Sequence, residues 1–241
     1  MKINKIYHES NFDTMSRMDN NFIDMVITSP PYNIGKGRGN TNNSDLLYDN
    51  YSDDLEINEY FAQTKKWITE LLRVSEHYVF WNIGEYAGCR GIAAFIMNEF
   101  KDNLKETFIW IKPNPNPVGR GIVCNSYEYI FCLVPIKAEG RKYEYNNFGD
   151  NMIKNYIIKP VNNGKDNSGH GYAFGDWLPK YFINYFSKPG DLIYDPFMGS
   201  GTTAKAAHQL DRDWIGSEIS EKYVNIANKR LIPILNQTKL F

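Results

Sequence analysis

The 241-residue sequence has little cysteine, and what it has is poorly spaced for chemistry. Cys89, Cys124 and Cys132 form no CxxC pair, and His8, His77, His170 and His208 are scattered along the chain. That pattern leads us to expect neither a disulfide framework nor a metal centre, and a cytoplasmic location. No apolar run reaches the ~18 residues of a membrane span. The polar residues after Met1-Lys2-Ile3-Asn4-Lys5 leave no signal-peptide core. An excess of either charge is also missing: 27 Lys and Arg stand against 28 Asp and Glu, a net charge of −1. Contact with a polyanion would therefore need basic residues gathered on one face. No internal repeat or long low-complexity linker divides the chain. With 42% apolar content, residues 1–241 are expected to fold as a single domain.

What the chain does contain is a rhythm of strands and helices with two unusual turns. Strands are expected at Lys2 to Tyr7, Ile23 to Ile27, Tyr78 to Trp81, Thr107 to Ile111, Tyr127 to Val134, Leu192 to Tyr194 and Trp214 to Ser217. Helices are expected at Asn11 to Met18, Ile57 to Ser75, Ala87 to Phe100, from near Asp176, and from Thr202. The alternation predicts an α/β fold on an open, mostly parallel sheet. In the first unusual turn, Leu192-Ile193-Tyr194 breaks at Asp195-Pro196-Phe197-Met198-Gly199-Ser200-Gly201-Thr202. A strand, Gly turn and helix of this kind opens many nucleotide-like sites, because the backbone can approach the ligand and free N–H groups point at it. Glu218, about twenty residues on, stands where a ribose-binding carboxylate belongs in such folds. In the second, Thr28-Ser29-Pro30-Pro31-Tyr32 follows an apolar run. A Pro-Pro pair cannot continue a central strand, so Ser29 and Tyr32 must stand at its carboxyl end, the ligand edge of an α/β sheet.

These two stretches carry a resemblance. Thr28-Ser29-Pro30-Pro31-Tyr32 is similar to the catalytic motif of the S-adenosylmethionine (SAM)-dependent DNA amino-methyltransferases, the N4-cytosine/N6-adenine family. Asp195 to Thr202 resembles that family's SAM motif. The order, catalytic motif first, is that of the beta group. The resemblance implies a Rossmann-like methyltransferase domain with permuted motifs and helices on both faces. It implies Ser29, Pro30, Pro31 and Tyr32 as the catalytic turn. It implies Asp195, Pro196, Phe197, Gly199, Ser200, Gly201, Thr202 and Glu218 as cofactor contacts, joined by Phe174 and Ser10. Relatives often carry Gly-Asp where this chain has Glu9-Ser10. Ser29 and the Pro30 carbonyl would accept the two amino hydrogens, and Tyr32 would stack on a flipped base. No Pro-Cys dipeptide occurs, which argues against cytosine-C5 methylation.

Residues 33–54 read either as a mobile active-site loop, with Lys36 and Arg38 placed to meet phosphates, or as a solvated surface loop. Residues 137–169 read as a short target-recognition region, with Arg141 and Lys142 on DNA, or as a solvated connector with ordinary lysines; the resemblance implies that the extended Pro-rich stretch between Lys112 and Arg120 lies near the target base and the DNA backbone. Ser29, with Leu178-Pro179 in place of a Lys-Pro pair, favours cytosine-N4; adenine-N6 is the alternative, because some relatives with Ser modify adenine. RNA or protein-glutamine methylation fits less well, since those relatives use Asn-Pro-Pro-Tyr with the cofactor motif first. An inactive DNA-binding subunit is opposed by the intact Ser29, Tyr32, Gly199 and Gly201. Double-stranded DNA, a second copy of the chain and a restriction endonuclease are the partners the family implies.

Overall fold

The apolar runs align as one eight-stranded sheet. The computed structural model describes residues 1–35, 53–115, 123–149, 152–161 and 175–235. Its strands are β1 (Lys5–His8), β2 (Ile23–Thr28), β3 (Ser75–Ile83), β4 (Leu104–Ile111), β5 (Tyr127–Leu133), β6 (Tyr156–Ile158), β7 (Leu192–Asp195) and β8 (Asp213–Glu218). Across the sheet they lie β1-β8-β7-β2-β3-β5-β4-β6. The pairs β1–β8, β7–β8, β2–β7, β2–β3 and β4–β6 are parallel, whereas β5 runs antiparallel to both β3 and β4. Helices α1 (Asn11–Met15), α2 (Ile57–Val74), α3 (Ile92–Glu99), α4 (Trp177–Phe186), α5 (Thr202–Gln209) and α6 (Glu221–Leu235) complete the Rossmann-like α/β domain.

Two cores follow from strand alternation. Met25, Ile27, Phe80, Ile130 and Ile193 face one way, onto Leu178, Phe182 and Phe186 of α4, Ala204 and Ala207 of α5, and Ala227 and Leu231 of α6. Val26, Val79, Trp81, Phe131 and Tyr194 face the other, onto Met15 of α1, Tyr60, Trp67, Ile68 and Leu71 of α2, and Ile92 and Ile96 of α3. In α2 the apolar residues recur at helical spacing on the buried side, and Glu56 caps the start by accepting from the Asn58 and Glu59 N–H groups.

The helix expected from Ala87 to Phe100 divides. A 3-10 turn at Ala87–Cys89 is separated from α3 by Gly91, whose φ of 88° leaves the right-handed region. The Glu85 carboxylate accepts from Gly91 N–H at 2.7 Å and Ala93 N–H at 3.0 Å, which starts the helix afresh. Within 137–169, β6 adds a three-residue strand parallel to β4, too short to show periodicity. No helix among the described residues is long and apolar enough to cross a membrane.

Candidate active site

The carboxyl ends of β1, β8, β7, β2, β3 and β4 all point to one edge, where both unusual turns sit. Asp195, at the end of β7, is 1% exposed and ties the turns together. Its carboxylate accepts from the Thr28 hydroxyl at 2.6 Å, the Thr203 hydroxyl at 2.6 Å and the Phe197 N–H at 3.0 Å. Burial pushes its pKa up, against the lowering effect of those three donors. Asp195 was expected among the cofactor contacts; its oxygens are instead occupied in bracketing the catalytic strand to the Gly turn and α5.

The catalytic turn is held from both sides. Tyr60 of α2 donates its hydroxyl to the Pro31 carbonyl at 2.7 Å. Asn33, at φ 55°, donates its amide to Leu55 O at 2.9 Å and Gly88 O at 2.7 Å. A Cβ on Gly88 would fall 1.7 Å from Asn33 O, so only glycine allows the two backbones to cross. Inside the turn, the Ser29 hydroxyl lies 2.8 Å from the Tyr32 hydroxyl, which lies 3.0 Å from Glu128 Oε2. The Tyr32 ring stacks on Tyr86 at 5.5 Å and 28°. Burial, with Glu128 alongside, raises the Tyr32 pKa well above its ordinary value, so the phenol stays protonated.

On the other side, Gly199 N–H donates to Glu218 Oε2 at 2.9 Å and Ser220 N–H to Oε1 at 2.8 Å. Burial pushes the Glu218 pKa up. Helix α5 starts at Gly201 (φ 82°) with no side-chain cap, and the buried Thr202 hydroxyl has no partner among the described residues. A Cβ on Gly201 would stand 3.1 Å from the Ala227 Cβ of α6, so the turn is also set by helix packing. Ser200, another expected cofactor contact, has its hydroxyl on Arg230 at 2.7 Å. Ser10 lies at the same sheet edge, but its hydroxyl caps α1 through the Phe12 N–H; from that turn it is Asn11 that reaches the Pro196 carbonyl, at 3.4 Å.

Two linked turns at the carboxyl edge of this sheet make a comparison with known proteins decisive. A family model described as DNA methylase matches residues 23–229. The chain belongs to that family. The type II methyltransferase M.BglII of Bacillus subtilis is 26% identical over 261 residues, covering 93% of this chain and 68% of that protein. The solved structure of PvuII DNA methyltransferase (cytosine-N4-specific) superposes with a TM-score of 0.73 at 18% identity, over 98% of this chain and 87% of the other. M1.HpyAVI in complex with SAM gives 0.64 at 24% identity, over 94% and 99%. These two structures bear on the fold alone.

The methylase does not use all its expected basic residues as the sequence suggests. Lys112 is 6% exposed, with Nζ 2.5 Å from Glu128 Oε1 and 5.1 Å from the Trp110 ring centre. Its charge is spent inside the protein, so it is not a surface ligand for phosphate. Arg141 and Lys142 are exposed but stand at the opposite edge. There the 138–149 segment forms a strap: Lys105 at the start of β4 donates to Glu139 O and Gly140 O, and Ala138 N–H donates to Asp102 O. Tyr145 stacks on His77 at the start of β3 and donates to Asp191 just before β7. Tyr143, Tyr145 and Phe148 pack against the α4–α6 core, so these aromatics hold the segment away from the catalytic edge. Arg141→Ala/Lys142→Ala is therefore expected to leave the salt dependence of duplex binding unchanged in anisotropy titrations; a log–log slope shallower by about 2 would place the strap on DNA. Lys36, Arg38, Arg120 and Phe174 lie outside the described residues, as does most of the 33–54 loop.

At the root of that loop, Asp53 accepts from Asn33 N–H at 2.7 Å and Ile34 N–H at 3.2 Å. Burial raises its pKa from 3.8 to about 6, outweighing those hydrogen bonds. Because the folded value stands above the unfolded one, the Asp53 contribution to stability is largest at low pH and declines as pH rises from about 4 to 6. The urea unfolding free energy of the wild type, relative to Asp53→Asn, is expected to fall across that window and then level off. A difference that grows with pH would contradict burial as the cause.

Proposed function

We propose that the chain transfers a methyl group from SAM to the exocyclic N4 of a cytosine flipped out of double-stranded DNA. The observation that carries this reading is the Asp195 bracket, which sets the Ser29–Tyr32 turn beside the Gly turn. The cofactor side fits SAM in kind. The Glu218 carboxylate accepts the backbone N–H groups of Gly199, Ser220 and Ile219 and, with about four lone-pair sites, keeps capacity for a ribose hydroxyl. The uncapped start of α5 and the unpartnered Thr202 hydroxyl suit the polar amino-acid end. SAM, when bound, supplies an electrophilic sulfonium methyl.

The residues of the chain supply the rest. An exocyclic amine is a poor nucleophile because its lone pair is delocalised into the ring. Ser29 Oγ and the Pro30 carbonyl would hold its two hydrogens and draw nitrogen towards tetrahedral geometry. The π face of Tyr32 would stack on the base and favour the positive charge developing on nitrogen. Flipping costs on the order of a few kcal/mol, offset by that stacking and the pocket hydrogen bonds. Cytosine-N4 is favoured over adenine-N6 by Ser29 at the head of the turn and by Leu178-Pro179 at the start of α4. A second copy of the chain and a cognate endonuclease belong to the proposal as partners.

The test is transfer of label from methyl-tritiated SAM to duplex DNA, with RNA and protein offered in parallel. Counts are expected in DNA and lost in Ser29→Ala. Label in RNA or protein alone would contradict the reading.

A further inference from the structure

The hydrogen bonds around the catalytic turn converge on one carboxylate. Glu128, on β5, is 6% exposed. Its Oε1 accepts from Lys112 Nζ at 2.5 Å and the Tyr86 hydroxyl at 3.2 Å. Its Oε2 accepts from Asn82 Nδ2 at 2.8 Å and the Tyr32 hydroxyl at 3.0 Å. These four donors come from the end of β4, the turn after β3, β3 itself and the catalytic turn.

The chemistry of an ionised carboxylate sets the direction of everything attached to it. It can only accept, so the Tyr32 O–H must point at Glu128. The Tyr32 oxygen is then an acceptor, taking Asn82 Nδ2 at 2.6 Å and the Ser29 hydroxyl at 2.8 Å. The Ser29 proton is thereby turned onto Tyr32, and its lone pairs are left outward, crossed among the described residues by a long contact from Asn82 Nδ2 at 3.3 Å. Asn82 obeys the same constraint. Turning its amide over would set Oδ1 against the carboxylate, so Nδ2 stays inward and the buried Oδ1 has no partner among the described residues.

We propose that Glu128, its charge balanced by Lys112, is a positioning residue that directs the hydrogen-bond chain through Tyr32 so that Ser29 Oγ meets the target amine as an acceptor. The inference rests on the methyl-transfer reading above. Direction matters there because a hydroxyl that donated to the amine would occupy the lone pair that must attack the methyl. A carboxylate serving only to tie strands together would also have to accept these donors, but its loss would weaken folding without lowering kcat in the folded chain.

Polarity and shape are separated by two substitutions. Glu128→Gln keeps the shape, but Lys112 can only donate and so holds the amide oxygen, which turns Nε2 towards Tyr32. The Tyr32 hydroxyl then accepts from Nε2 and loses the acceptor that fixed its proton, and the Asn82 amide is free to turn, so the direction of the Ser29 hydroxyl is released. Glu128→Asp is shorter, yet remains an acceptor on both oxygens. In steady-state methylation of duplex DNA, Glu128→Gln is expected to lower kcat by about a hundredfold, with both KM values within about threefold. Glu128→Asp should retain more activity than Glu128→Gln. In a Tyr32→Phe background, Glu128→Gln should have no further effect, because its route to Ser29 is already cut.

Wild-type kcat in Glu128→Gln, Gln surpassing Asp, or losses that multiply in the double variant would each overturn the proposal. Should the Gln variant not fold by thermal melting, a folded Asp variant as slow as Tyr32→Phe would overturn it equally. A wild-type chain that methylates no DNA is a different failure, seen before any variant is compared. It overturns the methyl-transfer reading and this inference with it.

Discussion

Lys112→Met is expected to lower the free energy of unfolding by about 3–5 kcal/mol, the usual result of stripping one partner from a buried ion pair. The pair is well enclosed, with both side chains 7% exposed. Without Lys112, Glu128 would face its remaining donors with an uncompensated charge or take up a proton. Either response disturbs Tyr32 and Asn82, so methyl transfer should fall with stability. Lys112→Met/Glu128→Met removes both charges and should regain part of the lost stability, since a buried pair is often replaceable by apolar side chains. Urea unfolding of the three chains checks this. An unchanged midpoint in Lys112→Met would mean that the lysine charge lies in solvent, where phosphate could reach it.

Asp195→Ala is expected to damage both halves of the site at once. Three donors lose their acceptor: the hydroxyls of Thr28 and Thr203 and the Phe197 N–H. Each buried donor left unpaired costs about 1–3 kcal/mol. A combined loss of about 3–5 kcal/mol follows once relaxation is allowed for. SAM affinity should drop with it, because the Gly turn and α5 lose their tie to β2. The decisive feature is the behaviour of the chain without cofactor. A bracket destabilises the free protein, which urea unfolding measures, whereas a direct cofactor ligand changes only the calorimetric SAM titration. Unaltered stability of the free variant, with weakened SAM binding, would return Asp195 to the role of a cofactor contact.

The sequence made the ligand edge legible because its markers are local. A Pro-Pro pair after an apolar run and a Gly-Ser-Gly turn before a helix each dictate where the chain leaves the sheet. The structure places both turns on the same edge. The amphipathic period of α2 was equally readable, and its aromatics Tyr60 and Trp67 are core as expected. Other features depend on contacts distant in sequence. Asp195 reads as part of a cofactor motif, yet its partner Thr28 lies 167 residues away. Arg141 and Lys142 look like a DNA-facing pair until Tyr143, Tyr145 and Phe148 are seen packing the strap at the wrong edge. Helix α6 was not among the expected helices, although Tyr223, Val224, Ala227 and Leu231, all buried, recur at helical spacing.

Glu128 and Asn82 had a fainter signal. In Tyr127-Glu128-Tyr129-Ile130, alternation sets Glu128 on the face of buried Ile130, and a charge on such a face needs a partner. Lys112, at the end of a neighbouring apolar strand, was the available cation. Reading Lys112 only as a surface charge hid the pair. With Lys112 enclosed and Arg141 and Lys142 at the opposite edge, a near-neutral chain is expected to meet DNA through other basic residues at the carboxyl edge.

The measurement that bears most directly on the central claim is nucleoside mass spectrometry of duplex DNA incubated with the pure protein and SAM, beside a Ser29→Ala control. The account predicts methylation of an exocyclic amine, as N4-methylcytosine, absent from the control. N6-methyladenine would keep the chemistry of the turn and replace the base assignment. 5-Methylcytosine, or a product that persists in Ser29→Ala, would contradict the account at its centre.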